Sequence, residues 1–315
     1  MRTWCGVLVG LCLGWSTAVL AVEQAAAEKG IFDYAGQQAA GEKVQKVVFI
    51  ADAGTHGGRG NHEFMAGSIL LARVLNETYP DVHAVVHSTK NWPTDLSHAN
   101  AIVVSLNHGQ RAATDPQVVA AVKKGAGFMA IHFGVEVNKG EAGENYTRWM
   151  GGYFETFWSV NPWWTPEFKD LPEHATTRGV KPFSIRDEWY YHMRFAPDMV
   201  GVTPILSAVP PLTTVRKEPS DRGGNAAVFD EVSAGKPQVM AWAYEREDGG
   251  RGFGFTGLHN HANLGNDSFR TLLLNGVAWI AKQEIPKNGV PSKPLDKEAL
   301  EKLIDEGKQA LEAKK

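Results

Sequence analysis

Short apolar runs alternate with segments of helical periodicity over the first half of the chain. Mostly apolar residues, many of them β-branched, occupy positions 46–51, 82–86, 101–106 and 128–132, and each run has the length of one buried strand. Between them, the apolar spacing predicts helices over residues 63–79 and 116–124. This alternation predicts βαβ units, and hence an α/β fold with a doubly wound, mostly parallel sheet whose site lies at the carboxyl ends of the strands.

The regular pattern breaks down over residues 140–211 and then returns. This stretch is rich in aromatic residues, and we expect an insert that covers one edge of the sheet. Strands are predicted again over residues 238–244 and 251–257, followed by a helix over 268–282. One domain over residues 43–285 is the simplest organisation, and residues 286–315 are expected to form a linker and a charged amphipathic helix.

The first 21 residues have the pattern of a secretory signal peptide. A basic residue precedes an apolar run that ends at Leu20, and Ala21 provides the small residue that cleavage needs. Because the run is short for a membrane span, we expect a cleaved, periplasmic or secreted protein without stable membrane insertion; an uncleaved anchor is the alternative. Cleavage would remove Cys5 and Cys12, the only cysteines, and with them any thiol chemistry.

Composition and charge exclude several classes of function. The chain is 43% hydrophobic and 21% charged, which is typical of a soluble globular protein. Its 32 basic and 35 acidic residues give a net charge of −3, so nucleic acid is not an expected partner. The chain lacks the Gly-x-Ser-x-Gly, His-Glu-x-x-His and Walker motifs of common hydrolases and nucleotide-binding enzymes.

Histidines collect where the predicted strands end. Of the 11 in the chain, six occupy such positions: His56, His62, His108, His132, His259 and His261. Buried imidazoles are costly unless they are paired, so six at one rim indicate metal ligation, general acid–base chemistry, or both.

Two further segments could contribute ligand contacts. The glycine-rich loop over residues 54–60 is wrongly spaced for a dinucleotide fingerprint, but it could bring backbone N–H groups, His56 and Arg59 to an anionic or hydroxylated ligand. Residues 187–194 combine carboxylates, tyrosines, a histidine and an arginine beside the aromatic insert, which would suit a sugar; a half-buried strand is the alternative. Glu188 is the preferred functional residue of that run.

Several segments together resemble the ThuA-like, or trehalose utilisation, family. They include Ala51–Gly57, residues 61–64, Ile131-His132, residues 151–155 and 187–190, and Phe255–His261 with the helix that follows. The resemblance implies a flavodoxin-like, three-layer fold related to class I glutamine amidotransferases. His132 stands where those enzymes carry a cysteine nucleophile, so amidotransferase chemistry is not expected.

The family resemblance also implies cleavage of 3-keto-glycosides, beside a sugar dehydrogenase that would supply the ketone. A divalent metal would hold the enediolate formed during elimination or hydrolysis. Under this hypothesis, the expected roles are as follows: metal ligands His132, His259, His261 and Glu188; catalytic groups His132 and Glu188, with His56 or His62 as proton shuttle; substrate contacts Tyr191, Arg194, Glu155, Trp158 and Arg59.

Two other functions stay open at this point. A sugar-binding or scaffold protein could keep the same fold and aromatic insert without any chemistry. Nucleotide or flavin binding is disfavoured by the glycine spacing.

Overall fold

The computed structural model describes residues 30–32 and 44–312. The predicted signal peptide lies outside these described residues, and its cleavage and the resulting location stay predictions. Within the described part of the chain, no helix combines the length and apolar character needed to cross a membrane.

A seven-stranded sheet forms the centre of the molecule. Its strands are β1 (Gln45–Ala51), β2 (Val82–Ser88), β3 (Ala101–Ser105), β4 (Gly127–Ile131), β5 (Val202–Ala208), β6 (Gln238–Glu245) and β7 (Arg251–Phe255). Their order across the sheet is β5-β6-β7-β4-β3-β1-β2. Neighbours from β7 to β2 pair in parallel, whereas β6 is antiparallel to both β7 and β5. The predicted mostly parallel, doubly wound sheet is therefore confirmed.

Helices cover both faces of the sheet. They are α1 (Phe64–Thr78), α2 (Gln110–Thr114), α3 (Pro116–Lys123), α4 (Glu141–Met150), α5 (Ala226–Ser233), α6 (Asp267–Ile280) and α7 (Lys297–Glu312). Alternate residues of β1 enter two different cores: Phe49 packs in the core that contains α1, α6 and α7, and Ile50 packs in the core that contains α2, α3 and α4. Burial on both faces explains the continuous apolar runs in the sequence.

Five parallel strands end in register along one rim. Ala51 pairs with Ser88 on one side and Ser105 on the other, Ser105 pairs with Ile131, and Ile131 pairs with Phe255. The residues that follow these strands are consequently brought side by side. His132 is one of them, and it adopts a left-handed backbone conformation with φ of 52°.

The predicted insert contains more regular structure than expected. Helix α4 was missed although Ala142, Tyr146 and Trp149 recur at helical spacing and are buried. Strand β5 was missed because Pro204 lies within it and its register with β6 is irregular. Both features are tolerated because β5 lies at the edge of the sheet.

At the other edge of the sheet, a short segment that contains Ile31 lies beside β2. There the backbone N–H of Val86 in β2 donates to the carbonyl of Ile31 at 2.8 Å. Ile31 and Phe32 also pack against the core that contains α1.

We expect Gly252→Ala to lower the free energy of unfolding by about 2 kcal/mol or more, because overpacking against rigid backbone is costly. A Cβ at this β7 position would lie 2.2 Å from the carbonyl oxygen of Trp149 in α4. The matched control is Gly67→Ala in α1, whose Cβ would meet only Leu258 at 3.6 Å. That change should stabilise the helix by about 0.5–1 kcal/mol. Denaturant unfolding measures both, and equal effects would contradict the close packing of α4 on β7.

Candidate functional site

Four side chains converge at the carboxyl rim of the sheet. His62 precedes α1, His132 follows β4, His259 follows β7, and Glu188 comes from a short strand of the insert, Asp187–Glu188. One ligand atom from each lies within 4.8 Å of those of the others. Distant parts of the chain thus form one compact group, which we call the His–Glu cluster.

The His–Glu cluster is held by short polar contacts. His62 Nε2 lies 3.1 Å from His132 Nε2, and His259 Nδ1 lies 3.0 Å from Glu188 Oε2. His132 Nε2 is 3.5 Å from the same carboxylate oxygen. Three imidazole nitrogens and one carboxylate oxygen are a typical ligand set for Zn²⁺ and similar divalent ions, so the cluster could hold a metal ion.

Backbone carbonyls assign the tautomers of two of these histidines. His132 Nδ1 lies 2.8 Å from the carbonyl of Thr256, and His62 Nδ1 lies 3.1 Å from the carbonyl of His56. A carbonyl only accepts hydrogen bonds, so each Nδ1 carries the hydrogen. In the neutral rings, both Nε2 atoms then present lone pairs to each other, and a cation or a shared proton would be needed between them.

Burial keeps these two imidazoles in the neutral form that binds metal. It lowers the pKa of His62 to about 4, with a further contribution from nearby His259. Burial likewise lowers the pKa of His132 well below its usual value, helped by His62. Both residues also have positive φ angles, 51° at His62 and 52° at His132. Such backbone strain in non-glycine residues is concentrated at functional sites.

Tyr190 also belongs to this site, whereas the sequence pattern favoured its neighbour Tyr191. Its hydroxyl lies 3.2 Å from His132 Nε2 and donates to Glu188 Oε2 at 3.3 Å. Burial raises its pKa well above the usual value, so the hydroxyl keeps its proton. Glu188 and Tyr190 are two positions apart in an extended segment, and period-two alternation was the signal that could have identified Tyr190.

Asp187 fixes the loop that carries His259. Its buried carboxylate accepts hydrogen bonds from the backbone N–H groups of Leu258, His259 and Asn260, and from the Asn263 side chain. Burial raises the pKa of Asp187, and these hydrogen bonds oppose the rise. This role of Asp187 could not be predicted from the local sequence, because its partners lie about 70 positions further along the chain.

The sequence over most of the domain matches one known protein family. The model of the ThuA family, described as trehalose utilisation, matches residues 53–280. The chain belongs to the ThuA family. A solved structure of a ThuA-like protein from Bacteroides uniformis ATCC 8492 is similar, with 15% identity and a TM-score of 0.48, covering 76% of this chain and 91% of that one. No curated protein matches the chain.

In this ThuA-family protein, His56 and His261 lie in very different surroundings. The exposed His56 ring stacks on His62 with centroids 3.6 Å apart, at the entrance to the His–Glu cluster. His261, predicted as a metal ligand, lies outside the cluster. Its ring lies beside the backbone of Leu300 in α7, and its Nε2 has no hydrogen-bond partner among the described residues. The cluster instead includes His62, which was expected as a proton shuttle.

The residues predicted to contact the substrate are paired with residues that are not part of the His–Glu cluster. Arg194 binds Glu155 through Nη2 at 2.7 Å, and its guanidinium lies 3.6 Å above the ring of Trp158. The Tyr191 hydroxyl pairs with Thr214 at 2.7 Å. Arg59 pairs with carboxylates of α7.

Different residues border the His–Glu cluster on its outer side. Trp163 is 38% exposed and meets His259 edge-on with centroids 4.5 Å apart, and Asn161 donates to Glu188 Oε1 at 3.3 Å. Phe133 lies edge-on to His56, with Arg222 5.8 Å from its ring centroid. These residues suit a ligand with both apolar faces and hydroxyl groups.

We expect Asp187→Asn to destabilise the protein by about 1–3 kcal/mol, because an amide nitrogen cannot accept the backbone N–H bonds that a carboxylate oxygen accepts. Thermal and denaturant unfolding provide the measurement. The control is Asp170→Asn at an exposed position of the same insert, which should change stability little. Equal stability of the two variants would show that Asp187 does not hold the His259 loop.

Proposed function

We propose that this ThuA-family protein is an exported, metal-dependent enzyme that cleaves glycosides oxidised to the ketone at C3. The observation that carries the proposal is the pair of buried imidazole Nε2 atoms facing each other at 3.1 Å, with both Nδ1 hydrogens committed to carbonyls. Export rests on the predicted signal peptide, and the substrate class rests on the family.

The donor set fits a divalent metal. His62, His132, His259 and Glu188 would hold it, and the Thr256 and His56 carbonyls orient two of the ligands from behind. When bound, the metal would supply positive charge that stabilises an enediolate and polarises the C3 ketone.

The number of carboxylates argues against a conventional glycosidase. Those enzymes use two carboxylates on either side of the scissile bond. The His–Glu cluster contains one, and that one is engaged by His259, Tyr190 and Asn161. A ketone at C3 removes the need for a second carboxylate because it acidifies the hydrogen on C2.

We assign proton transfer to His56, which is not one of the four proposed metal ligands. His56 is exposed and stacked on His62, so it can reach a sugar bound against the cluster. It would take the proton from C2, the C1–oxygen bond would break, and the departing oxygen would receive that proton. Water then adds across the C1–C2 double bond, so that the products are the 3-keto sugar and the free alcohol.

Contacts with the sugar would come from residues at the rim. Trp163 offers exposed ring surface. The Asn161 amide and the terminal nitrogens of Arg222 each keep one N–H beyond those that bind Glu188, Glu136 and Asp221, and these N–H groups could donate to sugar hydroxyl groups. Arg222 is oriented by the buried carboxylate of Glu136, to which it donates from Nη2 at 2.7 Å and from Nε at 3.0 Å. A dehydrogenase acting on the same sugar would have to supply the C3 ketone.

The purified protein should bind about one equivalent of a divalent metal such as Zn²⁺, and removal of a ligand should weaken binding by about 100-fold or more. Isothermal titration of metal into wild type, His62→Ala and His132→Ala tests this expectation. His98→Ala, which changes an exposed histidine, is the control and should bind like wild type. A wild-type protein without metal affinity would refute the metal site.

Cleavage should be specific for the oxidised substrate and sensitive to chelation. We expect release of the aglycone from a 3-keto-glucoside, none from the matched native glucoside, and loss of activity with chelator. His56→Gln should lower kcat by about 10²–10⁴-fold while metal affinity is retained. Binding of either sugar without cleavage would instead indicate a sugar-binding protein on the same fold.

A further inference from the structure

The C-terminal helix α7 lies beyond the residues that match the ThuA family model, yet it contacts the loops that carry two cluster residues. The match to the family model ends at residue 280, and α7 spans Lys297–Glu312. The two loops are the β1 loop, residues 52–63, which contains His62, and the β7 loop, residues 256–261, which contains His259.

Arg59 connects the β1 loop to α7 through three hydrogen bonds. Its Nε donates to Glu301 Oε2 at 2.7 Å, its Nη1 donates to Asp305 Oδ1 at 2.7 Å, and its Nη2 donates to the Glu301 carbonyl at 3.3 Å. A planar guanidinium that uses all three nitrogens on one helix face is held in a defined orientation. Arg59 is therefore occupied by the helix and not directed at the cluster.

The β7 loop is joined both to α7 and to the β1 loop. The turn that begins at His261 packs against α7, and the His261 ring lies beside the backbone of Leu300. The backbone N–H of His261 donates to the Gly60 carbonyl, and that of His62 donates to the His259 carbonyl, both at 2.9 Å. The two backbone bonds join the loops directly beside His62 and His259, and α7 contacts both loops through Arg59 and His261.

The β1 loop requires such an anchor because of its composition. Residues 54–59 are exposed, and Gly57, Gly58 and Gly60 have φ angles of 82°, 84° and 89°. Glycines in this conformation give the chain many alternative states, and a ligand carried on a mobile loop must be ordered when metal binds.

We propose that α7 is a positioning element for the metal centre, with Arg59 and His261 as positioning residues that hold the His62 and His259 loops. This inference rests on the proposed metal site. It assigns Arg59 a role other than the substrate contact expected from the sequence.

The test measures Co²⁺ affinity and the visible Co²⁺ spectrum of the full chain. We expect Arg59→Ala and the double variant Glu301→Ala/Asp305→Ala each to weaken Co²⁺ binding by about 10-fold or more and to alter the d–d bands, because the ligand geometry is less constrained. The triple variant, which combines Arg59→Ala with Glu301→Ala/Asp305→Ala, should bind Co²⁺ no more weakly than the double variant, because Arg59 acts through α7. Arg59→Lys, which can keep one ion pair, should restore part of the affinity.

Glu306→Ala is the matched control. Glu306 pairs with Arg73 of α1, so this ion pair also joins α7 to the domain but does not involve either loop. The control should bind Co²⁺ like wild type, which separates loop positioning from general docking of the helix.

The outcomes distinguish the two proposals. A wild-type protein that does not bind Co²⁺ overturns the metal site and this inference together. Wild-type binding with unchanged affinity and spectrum in the double variant overturns the role of α7 alone. Additive losses in the triple variant would show that Arg59 acts independently of the helix, which also overturns the inference.

Discussion

The contact between His62 Nε2 and His132 Nε2 is the interaction on which the site depends. Two acceptors at 3.1 Å repel each other unless something positive lies between them. Burial opposes protonation of either ring, and carbonyls behind the rings prevent a change of tautomer. A contact of this kind persists only where the surrounding structure fixes both partners, and the in-register ends of the parallel strands provide that support for His132.

The parallel sheet provides only part of the site, and side chains of the insert complete it. The sheet brings His132 and Thr256 to the rim, but Glu188 and Tyr190 come from the insert, and the hydroxyl of Thr256 donates to the Tyr190 carbonyl at 2.9 Å. Asp187 then ties the insert to the loop of His259. The catalytic possibilities of this chain therefore depend on how the insert docks, and not on the sheet alone.

The sequence predicts the sheet and the convergence of histidines well, for a physical reason. Strands buried on both faces must be continuously apolar, and parallel topology places their carboxyl ends together, so His132, His62 and His259 could be anticipated as neighbours. The errors arise where long-range packing decides. Tyr190 rather than Tyr191 faces the cluster because of the local register of an irregular segment. Arg59 and His261 contact α7, more than 35 positions away from either, and no local pattern encodes that docking.

The two edges of the sheet have a consequence for association between copies of the chain. An open strand edge is a template on which another strand can add, and this is a common route to aggregation. Here Ile31 already occupies an acceptor position beside β2, while Pro204 and the irregular register disrupt β5. In the part of the chain that the structure describes, the contact with Ile31 interrupts the β2 edge and Pro204 interrupts the β5 edge, and such interruptions discourage growth by strand addition.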